Sequence, residues 1–575
     1  MTRLFALCAL ALLLTTSIVA QDGRKTGPGA PAPHDYIIVC ADSLHESAQE
    51  WAAYRKENGR NPKVVTMAEI AKAAEVEVAG LNEIKSWLGG AAKAVNEPLV
   101  NFQVLLIGDC PDEGKATHDP KTEIPWFLTR QEDSNPDPKR RKRVVTDNFL
   151  ADIDNDENNL PEFAIGRIPA RNNEQVRLAL RKVKAYESAP QGEWLRNLTF
   201  FAGEGRFGEM VDRMLEGLFT RFAEQTIDPK YTVRMTYANI NSSYAYVPRM
   251  FSDKVIEEAN PGSLMLVYMG HGSYDRLDNM HVGDTRYPIL LGDDVPKFDI
   301  KDGKLPVMLI VACQTGYMDH PKGSLCERIC FAENAPVAIV ASSRDSHPYS
   351  NTLLQKALCG EVIANRRTTL GEAFVRAKRE LVLAEDPDRS QLEFMARLVI
   401  PKKDERDALN RSHVSMYNLT GDPGLRLRYP GLEPKPMAPA SVNDKGVIHV
   451  KVRAPKSGAD GKDLVWDCTV EVLRSKIPGE LKAFNAADLT SGDAAKVKAA
   501  EEAIRANHAV SNNKVVSALK LKHIGSSKGD GEIEQHFEGK ADSALAPGDY
   551  ILKLSARDSE GKAYGFTSVP LKIEK

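Results

Sequence analysis

A thiol and an imidazole, Cys313 in LPVMLIVACQTG and His271 in SLMLVYMGHG, each stand just past an apolar run of the 575-residue chain. Such a pair can act on carbonyl carbon, because the thiolate attacks while the imidazolium protonates the leaving amine. Gly272 follows the histidine. Its backbone amide and that of Cys313 are candidate oxyanion donors, since a position without a side chain lets a substrate carbonyl come close. Taken singly, a strand-end cysteine is commonly a small core residue and a loop histidine a surface group. Their conjunction at the ends of two buried strands carries the argument.

The elements that must position these residues are legible as apolar runs. LRNLTFFAGEG, SLMLVYMGHG, KLPVMLIVACQTG and APVAIVASS read as four strands covered on both faces, with helix-patterned segments such as MVDRMLEGLFTRFAEQ between them. That alternation predicts an open, mostly parallel sheet, whose ligands sit past the carboxyl ends of the strands. Glu204, His271, Cys313 and the loop from Ser342 to Tyr349 are the residues so placed. Upstream, DYIIVC, PKVVTM and NFQVLLIGD alternate with HESAQEWAAYRKENGR and LNEIKSWLGGAAKAV, a second α/β series.

The ends of the chain read differently. Thr2-Arg3 and LFALCALALLL, followed by Ala20, have the charge, apolar length and small residue of a secretory signal peptide, which predicts export. The rest of the chain offers no run able to span a bilayer. Beyond the Pro-rich LEPKPMAPA, short strands with polar turns predict a β-sandwich, interrupted by the helical stretch DLTSGDAAKVKAAEEAIRANHAV. The expected units are a signal peptide at 1–20, a lead-in at 21–34, α/β subdomains at 35–195 and 196–430, a linker at 431–441, and an all-β module at 442–575.

Composition narrows the function. A net charge of -3 gives no electrostatic case for nucleic acid, so protein or peptide is the expected partner. No His/Cys/Asp group has zinc-finger spacing and no GxxxxGK loop occurs, so no organic or nucleotide cofactor is expected. Asp152, Asp154 and Asp156, spaced two apart in ADIDNDENN, read either as calcium ligands on a sharp turn or as an acidic surface loop. KRRKR, at 139–143, reads as solvated loop. Cys326 and Cys330 share a helix face and read as core, while His281 and His320 read as loop histidines near the cleft.

The order His-Gly then Ala-Cys, with YMGHGS, LPVMLIVACQTG, AIGRIPAR, FAGEG, APVAIVASS and NLTGDPGLRL in sequence, resembles the gingipain-type cysteine peptidases of the caspase-like clan. The resemblance covers roughly residues 35 to 430, and an immunoglobulin-like sandwich follows in that family. It implies peptide-bond hydrolysis with Cys313 as nucleophile, His271 as general acid/base and Glu204 orienting or charge-stabilising the imidazole. Asp212 is the nearest counterpart of the family's acidic substrate-binding residue, and RDSHPYS stands where an aromatic is expected. Arginine specificity therefore does not carry over: Arg344 could repel a basic side chain, and Asp212 or Asp345 attract one. Two other readings share the fold, a sortase-like transpeptidase and a catalytically silent surface or scaffold protein.

Overall fold

The computed structural model describes residues 33–573, apart from 97–100, 131–142, 155–157, 207–226, 386, 437–440, 443–446, 456–465, 475–480, 528–531, 541–544 and 559–562. The signal sequence, nearly all of KRRKR, Asp156 and Asp212 thus lie outside the described residues.

The apolar runs form the strands expected of them. In the amino-terminal half these are β1 (Tyr36–Cys40), β2 (Pro62–Thr66), β3 (Gln103–Ile107) and β4 (Ala164–Ile168). In the second half they are β5 (Asn197–Ala202), β6 (Thr232–Tyr237), β7 (Met265–Met269), a hairpin of β8 (Asn279–Val282) and β9 (Thr285–Pro288), then β10 (Val307–Val311), β11 (Ala338–Ser342) and β12 (Tyr417–Thr420). All except the hairpin join one ten-stranded sheet in the order β2-β1-β3-β4-β12-β11-β10-β7-β5-β6. β12 runs parallel to β4 and antiparallel to β11, so chain direction reverses once and the two α/β halves share a continuous sheet. Both faces are covered: Ile38 and Leu105 enter one core while Ile37 and Val104 enter another. This double burial is why these strands read as unbroken apolar runs.

Buried charge fastens the halves together. Asp422, from the GDPGL turn after β12, accepts hydrogen bonds from Tyr36 Oη at 2.6 Å, Trp51 Nε1 at 2.8 Å, Arg55 Nε at 3.0 Å and the Gly424 amide at 2.6 Å. Trp51 and Arg55 lie on α1 (His45–Glu57), and Arg55 also pairs at 2.9 Å with Glu187 at the end of α2 (Asn173–Glu187). Arg167, from IGRIPAR, is clamped by both Asp147 oxygens at 2.6 and 2.9 Å and bonds the Ile124 carbonyl at 3.0 Å. These two signatures are therefore structural.

The carboxyl-terminal module is a two-layer β structure, compatible with an immunoglobulin-like sandwich. Its strand Val515–Ser527 pairs with Trp466–Arg474 as far as Leu521 and with Glu532–Lys540 from Lys522 onward, so it turns from one layer into the other. Ile448, Val470, Phe537, Leu552 and Val569 fill one shared core. The predicted helical insertion is present as Ala494–Asn512. Asn512 from that helix accepts from the Met235 amide at 2.7 Å and donates to the Met235 carbonyl at 2.9 Å, occupying the open edge of the sheet at β6.

Because Asp422 is fully buried against Arg55, Asp422→Asn is expected to lower unfolding free energy by about 3–5 kcal/mol. Urea titration checks this. A loss below about 1 kcal/mol would show that the anchor is dispensable.

Candidate active site

Three adjacent parallel strands place the reactive groups at one level. Ala202 of β5 pairs with Met269 of β7, which pairs with Val311 of β10. The second residue past each is Glu204, His271 and Cys313. The ladder persists beyond the strands, with the Gly203 amide donating to Met269 O at 2.8 Å and Gly270 to Val311 O at 3.3 Å. Neighbouring strands lie about 4.8 Å apart, so the thiol and imidazole leave the sheet side by side. Gly272 then crosses over the cysteine turn: a Cβ there would lie 2.7 Å from Thr315 Cγ2 and 2.9 Å from Cys313 O. Only glycine permits that approach.

The imidazole is oriented by backbone. His271 Nε2 lies 2.5 Å from Gly205 O, and a carbonyl only accepts, so Nε2 carries the proton and Nδ1 of the neutral ring is the acceptor. Tyr268 Oη, fully buried, donates to His271 O at 2.8 Å and accepts from the Asp278 amide at 3.3 Å. Both Arg206, next to the Gly205 acceptor, and Gln314, next to the thiol, take left-handed φ values of 52° and 57°. Such non-glycine strain, about 1 kcal/mol or more per residue, clusters where backbone must present a functional group.

Glu204 engages His281 on β8: Glu204 Oε2 accepts from Nδ1 at 2.8 Å, while Arg206 Nη1 donates to Nε2 at 2.9 Å. His281, set aside in the sequence as a loop histidine, thus ties the FAGEG turn to the hairpin. Asp278 was not foreseen either. Burial raises its carboxyl pKa, opposed by the Asn279 amide and then by His271, His281 and Arg206. No apolar run announces Asp278, so the sequence offered no signal for it.

The sequence profile of Peptidase family C25 matches residues 30–428. The chain belongs to that family. Members being cysteine peptidases of the gingipain type, it is a cysteine-type endopeptidase. Among solved structures it is similar to the Arg-specific cysteine proteinase gingipain R, at TM-score 0.50 and 16% identity, covering 95% of this chain and 99% of that one. A complex of the pro- and mature domains of RgpB from Porphyromonas gingivalis matches at TM-score 0.49 and 16% identity, over 93% of this chain and 100% of that one. No curated protein matches the sequence.

Within this family member, Cys313 is half-buried whereas the other six described cysteines, Cys326 and Cys330 among them, are buried and unpaired in disulfides. Arg344, anticipated at the substrate, is instead 4% exposed with its terminal nitrogens on Asp319 at 2.8 and 2.6 Å. Its charge is neutralised inside the fold, so it is not turned toward a substrate. Asp345 accepts from Gln314 Nε2 at 2.6 Å, next to the turn that carries Cys313. Away from this cleft, Asp152 and Asp154 converge with Glu162, each offering a carboxylate oxygen within 4.8 Å of the others. Burial first, then Asp154 and Asp152, push Glu162 up to about 7. On either side of residues 131–142, Phe127–Arg130 pairs with Arg143–Thr146 as a two-stranded antiparallel ribbon.

On α4 (Lys403–Met416), which follows α3 (Pro348–Cys359) in the chain, fully buried His413 donates from Nδ1 to Leu409 O at 2.7 Å and accepts from the His347 amide at Nε2, at 2.9 Å. Burial pushes its pKa down to about 3. Since the unfolded ring binds a proton below about 6.5 and the folded one does not, stability is full above pH 6.5 and falls toward pH 3. The expected slope is on the order of 1.4 kcal/mol per pH unit in that window. His413→Gln, which keeps one donor and one acceptor, is expected to flatten the pH dependence of thermal unfolding between pH 6.5 and 4; an unchanged slope would assign it elsewhere.

Proposed function

We propose that Cys313 and His271 form the catalytic dyad of an exported endopeptidase that cleaves peptide bonds through an acyl-enzyme. The observation that carries this reading is the shared register of β5, β7 and β10. Nδ1 of His271 takes the Cys313 proton, the thiolate attacks the scissile carbonyl, and the amides of Gly272 and Cys313 receive the oxyanion. The imidazolium then protonates the leaving amine, and water activated by the same ring releases the acyl group. Glu204 is a positioning residue, held by His281 so that Gly205 O meets His271 Nε2. Asp278 supplies negative charge as the imidazolium forms. Asp345, beside the nucleophile turn, and Asp212 are the acidic candidates for a basic substrate side chain.

Export rests on the basic-apolar leader, LFALCALALLL followed by Ala20. Among the described residues no helix is long and apolar enough to cross a membrane.

A peptide-library digest under reducing conditions tests the dyad. Wild type is expected to cleave, Cys313→Ala to be inactive, and His271→Ala to lose about 10³-fold or more in kcat/KM. Product masses with an added amine separate hydrolysis from transfer. A null wild-type profile matching both variants would overturn the reading.

We also propose that Asp152, Asp154 and Glu162 hold a structural calcium ion, with Asp156 as the expected neighbour. A cation there would favour the ionised carboxylate of Glu162, which burial first and the two aspartates second disfavour. Calcium at about 100 times its dissociation constant is expected to stabilise the protein by about 2.7 kcal/mol, and Asp154→Ala to abolish the effect. Equal melting curves with calcium and with chelator would contradict it.

A further inference from the structure

The sulfur of Cys313 lies against Ser346, a residue of the strand-end loop 342–349 that no motif singles out. Ser346, in the loop between β11 and α3, donates its backbone N–H to Cys313 Sγ at 3.3 Å, and its hydroxyl stands 3.9 Å from the same atom. Its carbonyl accepts from the thiol at 3.6 Å. When the thiol loses its proton that last contact can no longer form, whereas the N–H and hydroxyl contacts become charge-assisted.

This loop is held from two sides by buried groups. Asn351 Nδ2 donates to Ser346 Oγ at 2.9 Å, so the hydroxyl oxygen is held as an acceptor and its own proton can turn toward sulfur. The Asn351 amide is itself fixed by Tyr417 Oη, which donates to Oδ1 at 2.7 Å. Asn351 is 5% exposed and Tyr417 0%. On the other side the His347 amide donates to Nε2 of His413, whose Nδ1–H is taken by Leu409 O. His347 Nδ1 in turn accepts from the Tyr349 amide at 3.2 Å at the start of α3. A short polar loop is thereby held in one conformation by side chains from α3, α4 and β12.

We propose that Ser346 is a further catalytic residue, a donor cradle that stabilises the Cys313 thiolate, and that Asn351 and His413 are the residues that position it. The inference rests on Cys313 being the nucleophile. It assigns the ionised thiol a second partner besides His271: the imidazole takes the proton, and Ser346 holds the charge left on sulfur until carbonyl attack. No co-reactant is required.

Native alkylation by iodoacetamide across pH 4 to 10 reads the thiolate directly, since the other six described cysteines are buried. Ser346→Ala, Asn351→Ala and His413→Phe are each expected to raise the midpoint of the rate profile by about one pH unit, with about tenfold loss in kcat/KM below it and KM little changed. His413→Gln, which retains an acceptor for the His347 amide and a donor for Leu409 O, is expected to restore the wild-type midpoint. A purely structural role would lower melting temperature without moving that midpoint. Should His413→Phe fail to fold, Ser346→Ala, which deletes only a hydroxyl, carries the test. Midpoints unmoved in folded variants of an active wild type, or shifted downward, overturn the cradle and leave the dyad standing. A wild type that neither cleaves peptides nor labels at Cys313 overturns the dyad itself.

Discussion

The proposed Cys313–His271 chemistry depends on one constraint, the in-register parallel pairing of β5, β7 and β10. Side chains on neighbouring strands meet only when the hydrogen-bond register puts them at one height, and a one-residue slip reverses the face of every side chain. Pairing of Ala202, Met269 and Val311 sets that height, and the Gly203 and Gly270 amides extend it past the strand ends. The loops then need only short excursions. Gly272 folds onto the cysteine turn, Gly205 offers its carbonyl to the imidazole, and Ser346 closes on the sulfur from β11.

A sheet that sets position must itself be rigid, and buried ions at its centre serve that end. Asp422 ties β12 to β1 and α1, Arg167 ties β4 to the turn at Asp147, and the Arg344–Asp319 pair braces the segment after β11. Such pairs add little net stability over apolar packing, yet losing one partner leaves an uncompensated charge, so they favour one arrangement of loops over its neighbours. The carboxyl-terminal module participates as well. Its Asn512 pairs with Met235 on the edge strand, and Arg249 meets both oxygens of Glu501 at 2.5 and 2.7 Å. These contacts brace the β6 edge of the ten-stranded sheet.

What was legible in the sequence was what burial writes into it. Strands covered on both faces are continuous apolar runs, and their ends disclosed His271, Cys313, Glu204 and the loop that contains Ser346. Partners were not legible. The β8–β9 hairpin has mixed polarity, so His281 was set aside as a loop histidine and its hydrogen bond to Glu204 was not foreseen. Arg344 looked available because an arginine in a polar loop usually is; only the fold shows Asp319 waiting beneath it. Strands Val515–Ser527 and Glu532–Lys540 alternate with lysine and glutamate, which masked their inner faces.

A crystal structure of the protein inactivated by a peptidyl chloromethyl ketone would test the central claim most directly. The expected product is a thioether to Cys313 Sγ formed with loss of chloride, with the ketone oxygen within hydrogen-bond reach of the Gly272 amide and His271 Nε2 still on Gly205 O. A label on another residue, or an imidazole turned so that Nε2 faces the sulfur, would contradict it.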